Sequence, residues 1–249
     1  MNNPLKFEPD VHHTIWGQES WLVSAHPSSP SRISGGDGST LRDICPEFNI
    51  LVKVIRADQR LSVQVHPNDI TAPLIGGEAK TEMWCVLKPG PIFAGLRPGV
   101  SAADVERAVA DGSFESLLMR YDTKPGECYF IPGGLVHAIG EGTSVFEVQQ
   151  SSNTTFRLYD WGRVGADGRA RKLHVKEALS AIDMSLSPPV PSTSVCCDYF
   201  SFEQIPAGRI DAAGIWRVVY TLSTEETILL PPGLSTSVDS DSFLVSVKA

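Results

Sequence analysis

No apolar run in this 249-residue chain approaches the roughly 20 residues of a membrane span. The opening MNNPLKFEPD has no basic stretch followed by an apolar core, so no secretory leader is expected. Cysteine is scarce. Cys45, Cys85, Cys128, Cys196 and Cys197 make an odd number without paired spacing, which excludes a disulfide framework and a Cys-rich zinc site. Basic residues are outnumbered, 21 Lys and Arg against 29 Asp and Glu. The resulting net charge of −8 argues against nucleic acid or an anionic membrane as partner. The Gly-rich loop from Ile70 to Ala79 lacks the G-x4-G-K-[ST] spacing of a phosphate-cradling loop and reads as a surface loop, with a lid as the alternative. These absences leave a cytoplasmic protein with a small-molecule ligand as the expectation. An anionic ligand would need a local basic pocket.

What is present points to strands. The chain holds 21 Gly and 18 Pro, hence many turns, and few stretches of helical period. At 42% hydrophobic it can bury one large core or two small ones. Phe48 to Ile55 reads as a core strand. Ile15 to Ala25 reads as two short strand pieces around Gly17. The clearest helix starts at Ser101, with Asp104 at its third position near the positive end of the dipole, and its apolar face is interrupted at Gly112. Shorter helical pieces are expected at Thr40 to Cys45 and His174 to Ile182.

Two segments carry most of the possible metal ligands. In Leu61-Ser62-Val63-Gln64-Val65-His66, alternation puts Ser62, Gln64 and His66 on one face of a strand and the apolar residues on the other. Glu82 opens the next apolar run, Met83 to Leu87, and His137 follows the turn Pro132-Gly133-Gly134. Two imidazoles, a carboxylate and an amide oxygen form a mixed N/O set suited to zinc or another divalent first-row metal. Adjacent His12 and His13 point to opposite faces of a strand and read as a solvated pair.

Gly126, Pro132, Gly134 and His137 reproduce the pattern G-x5-P-x-G-x2-H, which resembles the second cupin motif. Gln64 stands where the first cupin motif has its first histidine. LSVQVHPND, KTEMW, IPGGLVHAIG and EVQQSSNTTFRLYDWGR, in that order, resemble type I phosphomannose isomerases from about Leu51 to Leu179. A weaker echo lies at Thr14 to Gly17 and Glu19 to Trp21, where the family's intervening segment is reduced to Gln18.

The resemblance implies a mainly β fold, a cupin jelly-roll barrel with a small helical insertion around residues 101–120. It implies one zinc ion per chain on Gln64, His66, Glu82 and His137. It implies Arg157 and Glu147 as catalytic residues, and Ser62, Lys80 and Arg163 as contacts to a sugar-phosphate substrate. For Arg157 the competing roles are enediolate stabiliser, phosphate clamp, or surface ion pair with Asp160. Glu147 is a proton-transfer candidate or a buried partner for Arg157 or Arg163. The implied reaction interconverts D-mannose 6-phosphate and D-fructose 6-phosphate. The alternatives are a non-catalytic sugar-phosphate-binding relative and a metal-dependent cupin acting on another sugar phosphate. Cys85 stands where the family commonly has tyrosine, and Trp161 is either a pocket wall or core.

The Pro-rich SPPVPSTS reads as a linker. It divides the chain into a metal-binding cupin region at 1–187 and a shortened β region at 188–249. In the latter, Glu226 to Thr236 tracks Glu127 to His137 in character, with Thr236 where His137 stands. A monomer or homodimer is expected.

Overall fold

A computed structural model of the chain describes residues 3–164 and 168–248. Met1 and Ala249, the outer limits of the two expected regions, lie outside the described residues. Strands dominate, as the turn-rich composition implies. The first sheet runs, in spatial order, Asp10–Thr14, Gly17–Ser24, Ile50–Ala57, Ser144–Gln150, Glu82–Lys88, Cys128–Ile131. The second runs Phe156–Tyr159, Val63–Val65, His137–Ile139, Pro91–Leu96, Leu118–Asp122. All pairs are antiparallel. The architecture is the cupin fold, with the second sheet facing one side of the first.

The two faces of the first sheet do different work. Val52, Val54, Phe146, Val148, Met83 and Cys85 point away from the cavity between the sheets. They pack against Phe200, Phe202, Tyr220 and Phe243 of a third sheet, which orders Ser194–Cys196, Phe200–Ile205, Ser242–Val247, Arg217–Thr221 and Glu226–Leu230. The alternate residues Lys53, Glu82, Trp84 and Glu147 face the other way, and all four are buried. Period-two alternation thus turns one central strand into a wall of core on one side and of chemistry on the other. Cys85 sits on the core side, facing Cys128 across the ladder, so it shapes no part of the cavity wall.

Phe146 is the centre of the inter-sheet packing. It is fully buried, with ring centroids 5.0 Å from Tyr220, 5.2 Å from Phe243 and 6.1 Å from Phe202. Phe146→Ala is expected to cost about 3–5 kcal/mol of unfolding free energy through lost transfer energy and the void left behind. Urea denaturation of the two proteins measures it, and a shift below ~1 kcal/mol would show that this junction repacks freely.

The helix Ala102–Asp111 forms where the sequence places it. Ser101 Oγ accepts from the Asp104 amide, Asp104 caps in return, and Gly112 closes the helix at φ +78°. The other expected turns of helix are Leu41–Ile44 and Val175–Ala181. Gly17–Ser24 is one strand in a hairpin with Asp10–Thr14 rather than two pieces, because the turn falls at Ile15-Trp16. The loop after His66 carries one unpredicted helical turn, Ala72–Ile75, with Ile70 and Leu74 exposed. Among the described residues no helix is long and apolar enough to cross a membrane.

Candidate active site

Three strands and one turn set the candidate ligands. Gln64 pairs directly with His137 across the second sheet, and Arg157 pairs with Gln64 from the other side. Glu82 begins the neighbouring strand of the first sheet. The turn before His137 is clamped onto the loop after His66: the Gly134 amide donates to the His66 carbonyl at 2.8 Å, and the Gly133 amide to Thr81 Oγ1 at 3.1 Å. A Cβ at position 133 would come within 2.7 Å of the Pro67 carbonyl oxygen. Only glycine permits that approach, so this close contact brings residues remote in sequence together.

The result is a buried cluster. His66, Glu82 and His137 each offer one ligand atom, and these atoms lie within 4.8 Å of one another. His66 Nε2 and His137 Nε2 are 3.2 Å apart. Glu82 Oε2 lies 3.4 Å from His66 Nε2, and Oε1 lies 3.3 Å from His137 Nε2. His137 Nδ1 is 2.8 Å from the Leu135 carbonyl, which accepts its proton and leaves the Nε2 lone pair aimed inward. The Gln64 amide stands 3.3 Å from His137 Nε2.

This donor set fits a divalent cation. Glu82 Oε1 is buried without a hydrogen-bond donor, and two imidazole nitrogens converge on the same point. Buried acceptors facing one another are costly unless a cation satisfies them. The Lys80 ammonium, 3.0 Å from His66 Nε2 and 2.6 Å from Glu82 Oε2, supplies positive charge at this point. Burial, and then the Lys80 charge, pushes the His66 pKa down to about 3, so the ring is neutral as a ligand must be. Burial likewise lowers His137. For Glu82 burial acts upward, but Lys80 and the two histidines hold the carboxyl well below its usual range.

A cavity of about 290 Å³ opens beside the cluster, lined by Ser62, Gln64, Lys80, Glu147 and Arg157 among others. Glu147 is almost fully buried. Its Oε1 lies 3.0 Å from Lys53 Nζ, and its Oε2 accepts from Trp84 Nε1 at 2.8 Å. Burial raises the Glu147 pKa, the nearby Glu82 charge adds to that, and Lys53 and Lys80 offset part of it. Arg157 donates from Nε to Ser62 Oγ at 3.3 Å and from Nη1 to the Lys172 carbonyl at 2.8 Å.

Two sequence expectations change. Asp160 pairs with Arg171, not with Arg157. Arg163 does not line the cavity; its guanidinium donates to the Arg60 backbone carbonyl. Trp161 also stands off the cavity, packing on Phe93 and Tyr159 with the Arg60 guanidinium 4.0 Å from its ring centre.

Sequence reasoning missed Lys53, Glu19 and Arg171, all of which line the cavity. Lys53 bridges Glu19 and Glu147 at 3.0 Å each. Burial opposes its charge, yet Glu147, Glu19 and Glu82 together raise its pKa. The available signal was a lone lysine inside the branched apolar run Ile50 to Ile55. Such a charge stays buried only with partners.

Fold and cluster together define a cupin with a buried His–Glu–His centre, next to a polar cavity that Gln64 and Lys80 line. Mannose-6-phosphate isomerase ManA of Bacillus subtilis is 32% identical over 245 aligned residues, covering 80% of this chain and 78% of that protein. The chain belongs to the mannose-6-phosphate isomerase family. No protein-family model matches it. The crystal structure of the Bacillus subtilis mannose 6-phosphate isomerase superposes with a TM-score of 0.84 at 24% identity, over 98% of this chain and 99% of that one. A mannose 6-phosphate isomerase bound with zinc and yttrium superposes at 0.67 with 16% identity, over 99% of this chain and all of that one. At these identities the two superpositions speak for the fold.

Proposed function

We propose that this chain interconverts D-mannose 6-phosphate and D-fructose 6-phosphate, in the cytoplasm, with one zinc ion held by Gln64, His66, Glu82 and His137. The observation that carries this reading is the buried His–Glu–His cluster beside a cavity lined by Gln64, Lys80, Glu147 and Arg157. Family membership supports the reaction. The N/O donor set, and a zinc-bound structure of the same fold, support the metal. When bound, the ion supplies Lewis-acid character and orients sugar oxygens.

The chain's own residues divide the remaining work. Glu147 takes the proton from C2 of the open aldose as that C–H bond breaks and its electron pair forms the C1–C2 double bond. The C1 carbonyl pair moves onto O1, and a proton passes from O2 to O1 through the enediol. The same carboxyl returns its proton to C1 as the O2 pair forms the ketose carbonyl. Its raised pKa brings it toward the working range of such a base. Lys53 and Trp84 hold the carboxyl in place from either oxygen. Arg157 faces the oxygen that gains charge in the enediolate, in a site where a preorganised donor is worth most. Ser62 orients Arg157, and Lys80 supplies a cation between the cluster and the cavity.

We also read residues 188–249 as a shortened cupin-like region without ligands. The strand–turn–strand Glu226–Leu230, Pro231 to Ser235, Thr236–Val238 parallels Cys128–Ile131, Pro132 to Val136, His137–Ile139.

The test is a coupled assay with mannose 6-phosphate before and after chelation, with metal content verified by mass spectrometry. Turnover is expected to fall to background on removal and return with zinc. Undiminished turnover in verified metal-free protein removes the metal from the reaction. Sugar-phosphate binding without turnover in the zinc-loaded protein identifies a non-catalytic relative instead.

A further inference from the structure

The cavity wall carries a cation that none of the family motifs marked. Arg171 lines it together with Arg157. Its guanidinium is fixed by Asp160: Nε donates to Oδ2 at 2.8 Å and Nη2 to Oδ1 at 2.6 Å. The Asp160 side chain is 6% exposed and that of Arg171 22%. This bidentate pair occupies one edge of the guanidinium fork. Among the described residues, Nη1 has no hydrogen-bond partner. A guanidinium pinned along one edge presents its other edge in a fixed direction, the geometry that matches two oxygens of a phosphate.

Position along the sheet separates Arg171 from the reacting end. On the strand that carries the ligands, His66, Gln64 and Ser62 succeed one another in steps of about 7 Å. Opposite them, Arg157 faces Gln64, Tyr159 faces Val63, and Trp161 Nε1 donates to the Leu61 carbonyl at 2.6 Å. Asp160, between the last two, therefore holds Arg171 at the end of the cavity remote from the His–Glu–His cluster.

Charge points the same way. Around the inner end stand Glu19, Glu82 and Glu147 against Lys53 and Lys80, an acidic balance. At the outer end two guanidiniums stand against one carboxylate. Burial, and next the charge of Arg171, lowers the Arg157 pKa, so the two cations feel each other. An anion between them relieves that repulsion.

We propose that Arg171, aimed by Asp160, is the residue that recognises the phosphate dianion of the substrate, a role the sequence left open for Arg157. The proposal rests on the sugar-phosphate reading above. It gives Arg157 to the reacting oxygens and Arg171 to the far end of the six-carbon chain.

Two measurements test it on the zinc-loaded protein: steady-state kinetics with mannose 6-phosphate, and titration with inorganic phosphate. Arg171→Ala is expected to raise KM and weaken phosphate affinity by about 10- to 100-fold, the range of a lost charge-assisted contact, with kcat within about 3-fold. Arg171→Lys should recover part of the loss, since it restores charge without the fork. Asp160→Asn keeps the guanidinium but loosens it, and should fall between wild type and Arg171→Ala. Unchanged KM and phosphate affinity in a folded Arg171→Ala protein, with wild type active, would mean that the ion pair is only structural and would overturn the proposal. Should wild type fail to turn over mannose 6-phosphate, the isomerase reading falls. The phosphate titration still decides Arg171 in that case: equal affinity in wild type and Arg171→Ala overturns it.

Discussion

His137→Ala is expected to lose bound metal and turnover together. His137 Nε2 faces both Glu82 Oε1 and His66 Nε2, and its ring is already oriented through the Leu135 carbonyl. Alanine removes one imidazole from the proposed set of four ligands, and Glu82 Oε1, already without a hydrogen-bond donor, loses its neighbour at 3.3 Å. Altering a partner behind a ligand typically costs 10- to 100-fold in affinity, so loss of the ligand itself should exceed about 100-fold. Metal content by mass spectrometry and the coupled assay are to be read on the same sample. A variant that keeps stoichiometric metal would show that His137 is not a ligand. A metal-free variant with wild-type turnover would separate the cluster from the chemistry.

Arg157→Ala should behave differently, with normal metal content and turnover reduced by about 100- to 1,000-fold, the scale of a lost oxyanion donor. Its guanidinium reaches Ser62 and the Lys172 carbonyl, and no contact ties it to His66, Glu82 or His137. The drop should lie in kcat, because the charge it meets develops during reaction. Arg171→Ala should move KM instead. A metal-free Arg157→Ala protein would collapse this division of roles, as would a change confined to KM.

The candidate His–Glu–His cluster was legible in the sequence. Gln64 and His66 lie two apart in an alternating run, so their shared face follows from strand geometry alone. The spacing from Gly126 to His137 encodes strand, turn and strand locally, and the structure contains that sequence of elements. The helix after Ser101 was equally local, since its cap and its αL terminus lie within one short segment.

The arginine-lined end of the cavity was not legible in the same way. Arg157, Arg163 and Arg171 lie within fifteen residues of one another, and nothing in their order says which guanidinium meets the cavity. Asp160 chose Arg171 as partner, and Arg163 turned to a backbone carbonyl. Lys53 looked like one charge in a core strand. Its role emerged only when Glu19 and Glu147 arrived from neighbouring strands on either side.

The sequence by itself determined the alternation of faces, the turn that precedes His137 and the chemical types available to a divalent ion. Each depends on neighbours within about ten residues, where backbone period and glycine placement suffice. Tertiary structure alone decided which charges share the cavity, and which guanidinium is pinned along one edge by Asp160. Those outcomes depend on strand order, cross-strand register and burial, and burial penalises any charge that fails to find its partner.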